Sequence, residues 1–267
     1  MDVTQALQAL GETSELLDEA VAELPAQEWL RPTPAEGWSI ADQIGHLLWT
    51  DEVTLTAITD PEGFRALVAE ASRAAESGQA DLVDRGAHER GSAPADELLA
   101  AWRSGRRELQ LALAAADPAG QIPWFGPPMR PVTIATARTM ETWAHALDVF
   151  DALGRTLPAT SALWAVARLG VRTREFAFKI RGLPVPAAEP RVELEMPGGA
   201  RFEAGPEGAA DRVTGSGWAF AAVVTQRRNI ADVELVAQGE GAAEWMRVAQ
   251  AFAGAPTSGP APGERIA

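Results

Sequence analysis

The sequence predicts a helical N-terminal half, a bundle of four principal helices, followed by a smaller α+β unit. Three observations lead there. Up to residue 154, apolar side chains recur at helical spacing in long stretches. After Gly182-Leu-Pro-Val-Pro the period changes to the alternation of Arg191-Val-Glu-Leu-Glu-Met. The charge is unevenly divided as well: residues 1–157 carry 25 acidic and 11 basic side chains, whereas residues 158–267 carry 12 of each. A chain of 267 residues holds one large domain or two moderate ones. The contrast in period and charge favours two, 1–157 and 158–267.

Each element has its own justification. Val3, Leu7, Leu10, Leu17, Val21 and Leu24 mark a first helix over residues 3–24, ended by Pro25. The proline-bearing loop AQEWLRPTPAEGW leads to Ser39, which with Asp42 makes a capping box with Asp in place of Glu. A second helix runs from there to about residue 58 and carries His46 near its middle. Pro61 restarts the chain into a helical stretch over 64–76, and DRGAHERGS, with His88, reads as a connection. Residues 96–116, behind Pro94, form a third long amphipathic helix that Asp117-Pro118 stops. The stiff aromatic loop QIPWFGPPMRP then feeds the fourth, 133–154, with Thr133 able to cap its start and Gly154 to close its end. Beyond it, a helix is expected over 161–180 and a hairpin over 191–204 turning at Gly198-Gly199. A third strand over 212–216, helices over 218–228 and 242–253, and a frayed tail, TSGPAPGERIA, complete the reading.

Composition removes several classes of chemistry. With no cysteine, disulfides, thiolate metal sites and a cysteine nucleophile are excluded, so any thiol chemistry uses a thiol from another molecule. A net charge of −14 opposes nucleic acid and anionic membranes as partners. The first residues are acidic with no basic n-region, and no apolar run approaches bilayer length, so a cytoplasmic location is expected.

Glu141 and His145 are four residues apart in the fourth helix, which stacks a carboxylate and an imidazole on one face. The chain has only three histidines, and His46 also lies in a helical apolar stretch. Together the trio suggests a three-ligand site for a divalent cation. A lone histidine in an amphipathic helix is more often core filler; the pairing with Glu141, together with a family resemblance, tips the reading to a metal. Asp148, three residues after His145, is either a carboxylate that orients the imidazole or a solvated helix residue, and Asp42 carries the same two readings. Trp49, Trp124, Phe125 and Arg138 are candidates for a substrate or thiol pocket, although tryptophans at helical spacing are more often core. Arg227 and Arg228 are either anion-binding residues of that pocket or a charged helix end.

The stretches GWSIADQIGHLLWTDE and METWAHALDVFDALG resemble the DinB-like, mycothiol-dependent maleylpyruvate isomerase family of actinobacteria, over most of residues 1–155. The resemblance implies a four-helix bundle holding a divalent metal, usually zinc, with His46, Glu141 and His145 as ligands. VVTQRRNIADVELVAQG and AAEWMRVAQAFAG are similar to the sterol-carrier-like C-terminal domain found in members of that family.

Three protein ligands leave an open position, where bound water would become hydroxide and a bound thiol a nucleophilic thiolate. The absence of cysteine suits the second case, and the family supplies the thiol as mycothiol. The expected function is a thiol S-transferase or isomerase acting on a small electrophile, as a monomer or homodimer, with the C-terminal domain closing the pocket. Its rivals are a metal-hydroxide hydrolase, an oxygenase built on a two-histidine, one-carboxylate iron site, and a non-catalytic binding protein.

Overall fold

A computed structural model describes residues 1–76 and 82–265. Among the described residues six α-helices precede residue 153: α1 (Val3–Val21), α2 (Ile40–Thr59), α3 (Pro61–Glu76), α4 (Leu82–Gly91), α5 (Ala95–Ala115) and α6 (Pro131–Ala152). They are followed by α7 (Ala162–Arg172), α8 (Arg174–Lys179), β1 (Arg191–Glu195), β2 (Arg201–Ala204), β3 (Arg212–Ser216), α9 (Gly217–Val224), β4 (Leu235–Gln238) and α10 (Glu240–Val248). Packing divides the chain into two compact units, Met1–Arg138 with His145–Arg155, and Thr139–Ala144 with Thr156–Ala267.

The long helices that the apolar spacing predicts are α1, α2 and α5 in the first unit and α6, of which residues 139–144 fall in the second. Ser39 and Asp42 form the expected capping box on α2: Ser39 N–H donates to Asp42 Oδ2 at 2.8 Å and Asp42 N–H to Ser39 Oγ at 3.3 Å. The start of α6 differs from expectation, since Pro131 occupies the first turn and Thr133 lies inside the helix. Its end is as read. Gly154 adopts φ +65°, its N–H reaching Asp151 O at 3.0 Å while Arg155 N–H reaches Phe150 O at 2.9 Å, the double closure that a left-handed residue permits.

The segment DRGAHERGS, expected as a connection, is helix α4. Its polar face misled the sequence reading, because what admits this helix is backbone proximity rather than an apolar stripe. A Cβ on Gly45 of α2 would lie 2.4 Å from Ala87 O, and one on Gly86 would lie 2.6 Å from the Trp49 ring. The α2–α4 approach therefore depends on hydrogen in place of side chains. Beneath it, Trp49, Val53 and Phe64 join Leu109, Leu113 and Ile134 in a continuous core.

The second unit holds a four-stranded sheet in the order β2-β1-β3-β4, with β1 parallel to β3 and the other two pairs antiparallel. The hairpin over Gly198-Gly199 forms as expected. The single helix expected over 161–180 is broken at Thr173, and β4 lies in a stretch that the sequence reading left unassigned. Of the tail, residues 266–267 lie outside the described residues; the part before them is held rather than frayed, with Asn229 Nδ2 donating to Pro260 O at 3.0 Å and Gly263 N–H to Asp232 Oδ2 at 2.8 Å.

Candidate metal centre

The residues singled out on α2 and α6 meet. His46, Glu141 and His145 each offer a ligand atom within 4.8 Å of the other two. Tetrahedral bonds of about 2.0–2.2 Å to a common cation put two ligand atoms about 3.3–3.6 Å apart, so side-chain adjustments of up to about an ångström bring the trio into range. Two nitrogens and one carboxylate oxygen, with His46 and His145 buried, are donors that suit a borderline divalent cation such as zinc. The His46 and His145 rings lie 4.4 Å apart between centroids.

Local structure explains the convergence. Glu141 and His145 share a face because they are one helical turn apart on α6. His46 is held opposite by a buried ion pair between the two helices, in which Arg138 Nε and Nη2 donate to Asp51 Oδ1 at 3.1 and 3.0 Å. Arg138 is 2% exposed and Asp51 4%. Burial pushes the Asp51 carboxyl above its usual range, and the neighbouring guanidinium pulls it back. Arg138, a pocket candidate from the sequence, thus crosslinks α2 and α6 through Asp51.

The loop before α2 covers the imidazoles. Trp38 stacks on His145 with centroids 5.8 Å apart and planes 15° from parallel, and lies 5.2 Å from His46. Its Nε1 donates to Asp84 Oδ1 of α4 at 3.1 Å. Trp49 also lies near an imidazole, 6.3 Å from His46. Trp124 and Phe125 gather on Phe64 of α3, at 6.0 and 5.3 Å; Trp124 packs against the core, whereas Phe125 is 44% exposed. Asp42 accepts from Ser39 and bonds His88 Nδ1 at 2.9 Å, which accounts for its carboxylate as a cap and a link to α4. Asp148 is fully buried, which removes the solvated reading. Arg227 and Arg228 belong to the second unit, where Arg227 Nη1 donates to Thr225 O at 2.8 Å and the Arg228 guanidinium sits 5.6 Å from the Trp218 ring.

Sequence reading missed Gln43. Its Oε1 lies 2.5 Å from His145 Nδ1, and its Nε2 donates to Thr33 Oγ1 at 2.8 Å. The available signal was its place three residues before His46, on the same face of α2.

A helical bundle that gathers two imidazoles and a carboxylate from facing helices is the architecture of bundle proteins with a metal centre in the core. The family model for the mycothiol maleylpyruvate isomerase N-terminal domain matches residues 10–150. Two uncharacterized proteins of Mycobacterium tuberculosis, from strains CDC 1551 and H37Rv, are each 50% identical over 246 residues, covering 92% of this chain and 94% of the relative. The chain belongs to the mycothiol maleylpyruvate isomerase family. Crystal structures of mycothiol-dependent maleylpyruvate isomerase and of a histidine-to-alanine variant of it superpose with TM-scores of 0.56 and 0.57. Each covers 89% of this chain and 93% of the other, at 13% identity. At that identity the likeness shows the shared fold.

Proposed function

We propose that this protein is a metal-dependent enzyme that activates an external low-molecular-weight thiol of the mycothiol type, for addition to or isomerisation of a small electrophilic substrate. The observation that carries the proposal is the convergence of His46, Glu141 and His145. A divalent cation bound there, zinc by the donor set, supplies an acidic vacancy at which a thiol or water ionises near neutral pH. The residues of the chain determine what that vacancy favours. Two neutral imidazoles and one carboxylate leave a net positive charge, which attracts an anionic ligand such as a thiolate. The Trp38 face beside both imidazoles keeps water away and strengthens the local field. Having no cysteine, the chain takes its nucleophile from outside. Membership of a family described by mycothiol and maleylpyruvate isomerisation supports the thiol as cosubstrate. A cytoplasmic monomer or homodimer is the setting we assign to it.

Metal analysis of purified protein, followed by titration of the loaded protein with mycothiol, tests this reading. We expect one cation per chain, thiolate absorbance on titration, and a rise in thermal stability worth about 2.7 kcal/mol at a hundred times Kd. All three should be lost in His46→Ala. Loaded protein that hydrolyses esters or amides without binding thiol would make it a hydrolase. Wild-type protein that takes up no cation would remove the metal centre.

A further inference from the structure

We propose that Gln43 is a positioning residue of this centre, setting the tautomer of His145 so that Nε2 carries the lone pair directed to a cation. The inference rests on the metal reading above and adds a hydrogen-bond chain whose polarity is dictated by chemistry. It begins at the Trp38 carbonyl, which can only accept. Thr33 Oγ1 lies 2.9 Å from that oxygen and must donate its single proton there. The hydroxyl oxygen is therefore an acceptor toward Gln43, 2.8 Å away, and the group facing it must be the amide NH2. The other end of the amide, 2.5 Å from His145 Nδ1, is then the carbonyl oxygen, which again can only accept. Nδ1 carries the proton, and in the neutral ring Nε2 is the basic nitrogen. An N–H held by a buried acceptor also fixes the ring plane and raises the basicity of the opposite nitrogen.

The local sequence makes this chain stiff. Thr33 and Trp38 are tied twice, since Thr33 N–H also donates to Trp38 O at 2.8 Å, and Arg31 and Ile40 close the same loop through an Ile40 N–H to Arg31 O bond of 3.1 Å. Gln43 and Thr33 are both buried, so water does not compete for the amide. The same loop places the Trp38 indole flat on the His145 ring. One short segment thus sets both the face and the proton of a single ligand.

The test has two arms that separate this inference from the metal reading. In metal-free protein labelled with 15N-histidine, long-range 1H–15N spectra report the protonated nitrogen of each of the three rings, and His145→Ala assigns the signal. We expect His145 to show Nδ1–H in the wild type and to lose that preference in Gln43→Leu. An Nε2–H form in the wild type overturns the proposal whether or not metal binds. In the second arm, Zn2+ affinity is measured by competition with a chromophoric chelator. Gln43→Leu should bind about 10- to 100-fold more weakly, whereas Gln43→Glu, whose carboxylate is a stronger acceptor for Nδ1–H, should bind at least as tightly as the wild type. Wild-type affinity in folded Gln43→Leu overturns the proposal. Wild-type protein that binds no Zn2+ defeats the metal reading and leaves the first arm to decide on Gln43. Should Gln43→Leu not fold, Thr33→Val carries both measurements, with mixed tautomers and a smaller loss of affinity expected.

Discussion

Arg138 and Asp51 show how a single pair of side chains braces the two helices that carry the candidate ligands. The guanidinium and the carboxylate are both nearly inaccessible to water, and Arg138 Nη2 also lies 3.4 Å from Leu47 O, one residue after His46. Removing one member leaves the other charge buried and uncompensated. Arg138→Met should therefore cost about 3–5 kcal/mol, measured by urea unfolding, with Asp51 taking up a proton in the folded state. Arg138→Met with Asp51→Leu replaces the pair by apolar groups of similar size and should recover most of that loss. If the double variant is as unstable as the single one, the pair is not acting as a unit. The sequence offered Arg138 as a pocket candidate, and its partner on α2, 87 residues earlier, is not legible from chain order.

At the scale of elements, the site depends on how closely α4 approaches α2. Gly45 precedes His46 directly, and a Cβ there would meet backbone atoms of α4, at 2.4 Å from Ala87 O and 2.6 Å from Gly91 N. Backbone cannot swing aside as a side chain can. Gly45→Ala should destabilise the bundle by about 1–3 kcal/mol or more, visible as a lower urea midpoint with an unchanged m-value. A neutral outcome would mean that α4 shifts outward easily. Helix capping and helix length were legible in the sequence, because Ser39-Asp42, Pro94 and Gly154 act through their immediate neighbours. The existence of α4 was not, since its polar sequence is stabilised by packing on Gly45 and by the His88–Asp42 and Trp38–Asp84 bonds, both 46 residues apart in the chain.

For the stability of the whole chain, an acidic protein of net charge −14 gains from each carboxylate that a cation holds. Asp18 on α1 is clamped by two arginines of α5: Arg103 Nε donates to Oδ2 at 2.8 Å and Arg106 Nη2 to the same oxygen at 2.7 Å. The hydrogen bond from Arg103 is the main reason the carboxyl titrates below its usual range, with the charge of Arg106 adding to it. A carboxyl depressed in the folded state contributes stability that is fully present above its unfolded pKa and lost as pH falls through its folded pKa. Asp18→Asn should therefore cost about 1–2 kcal/mol at pH 7, a figure discounted for the half-exposed Arg103. The variant should also lose less than the wild type on acidification below about pH 4. Unfolding midpoints from pH 3 to pH 7 make the comparison, and parallel curves for the two proteins would show that the clamp contributes nothing.

The sequence by itself determined what is local or chemical: the long helices from apolar period, the change to an alternating pattern after residue 182, the exclusion of cysteine chemistry, and the pairing of Glu141 with His145 one turn apart. It also pointed to His46, through scarcity of histidine and a helical setting. Tertiary structure alone decided which distant groups complete the site. Gln43 reaches His145 across 102 residues, Arg138 reaches Asp51 across 87, and Trp38 lies on an imidazole of a helix more than a hundred residues away. Spacing in a helix is set by the backbone and can be read from the chain. Contacts between helices depend on which faces the core brings together, and the chain order carries no record of that.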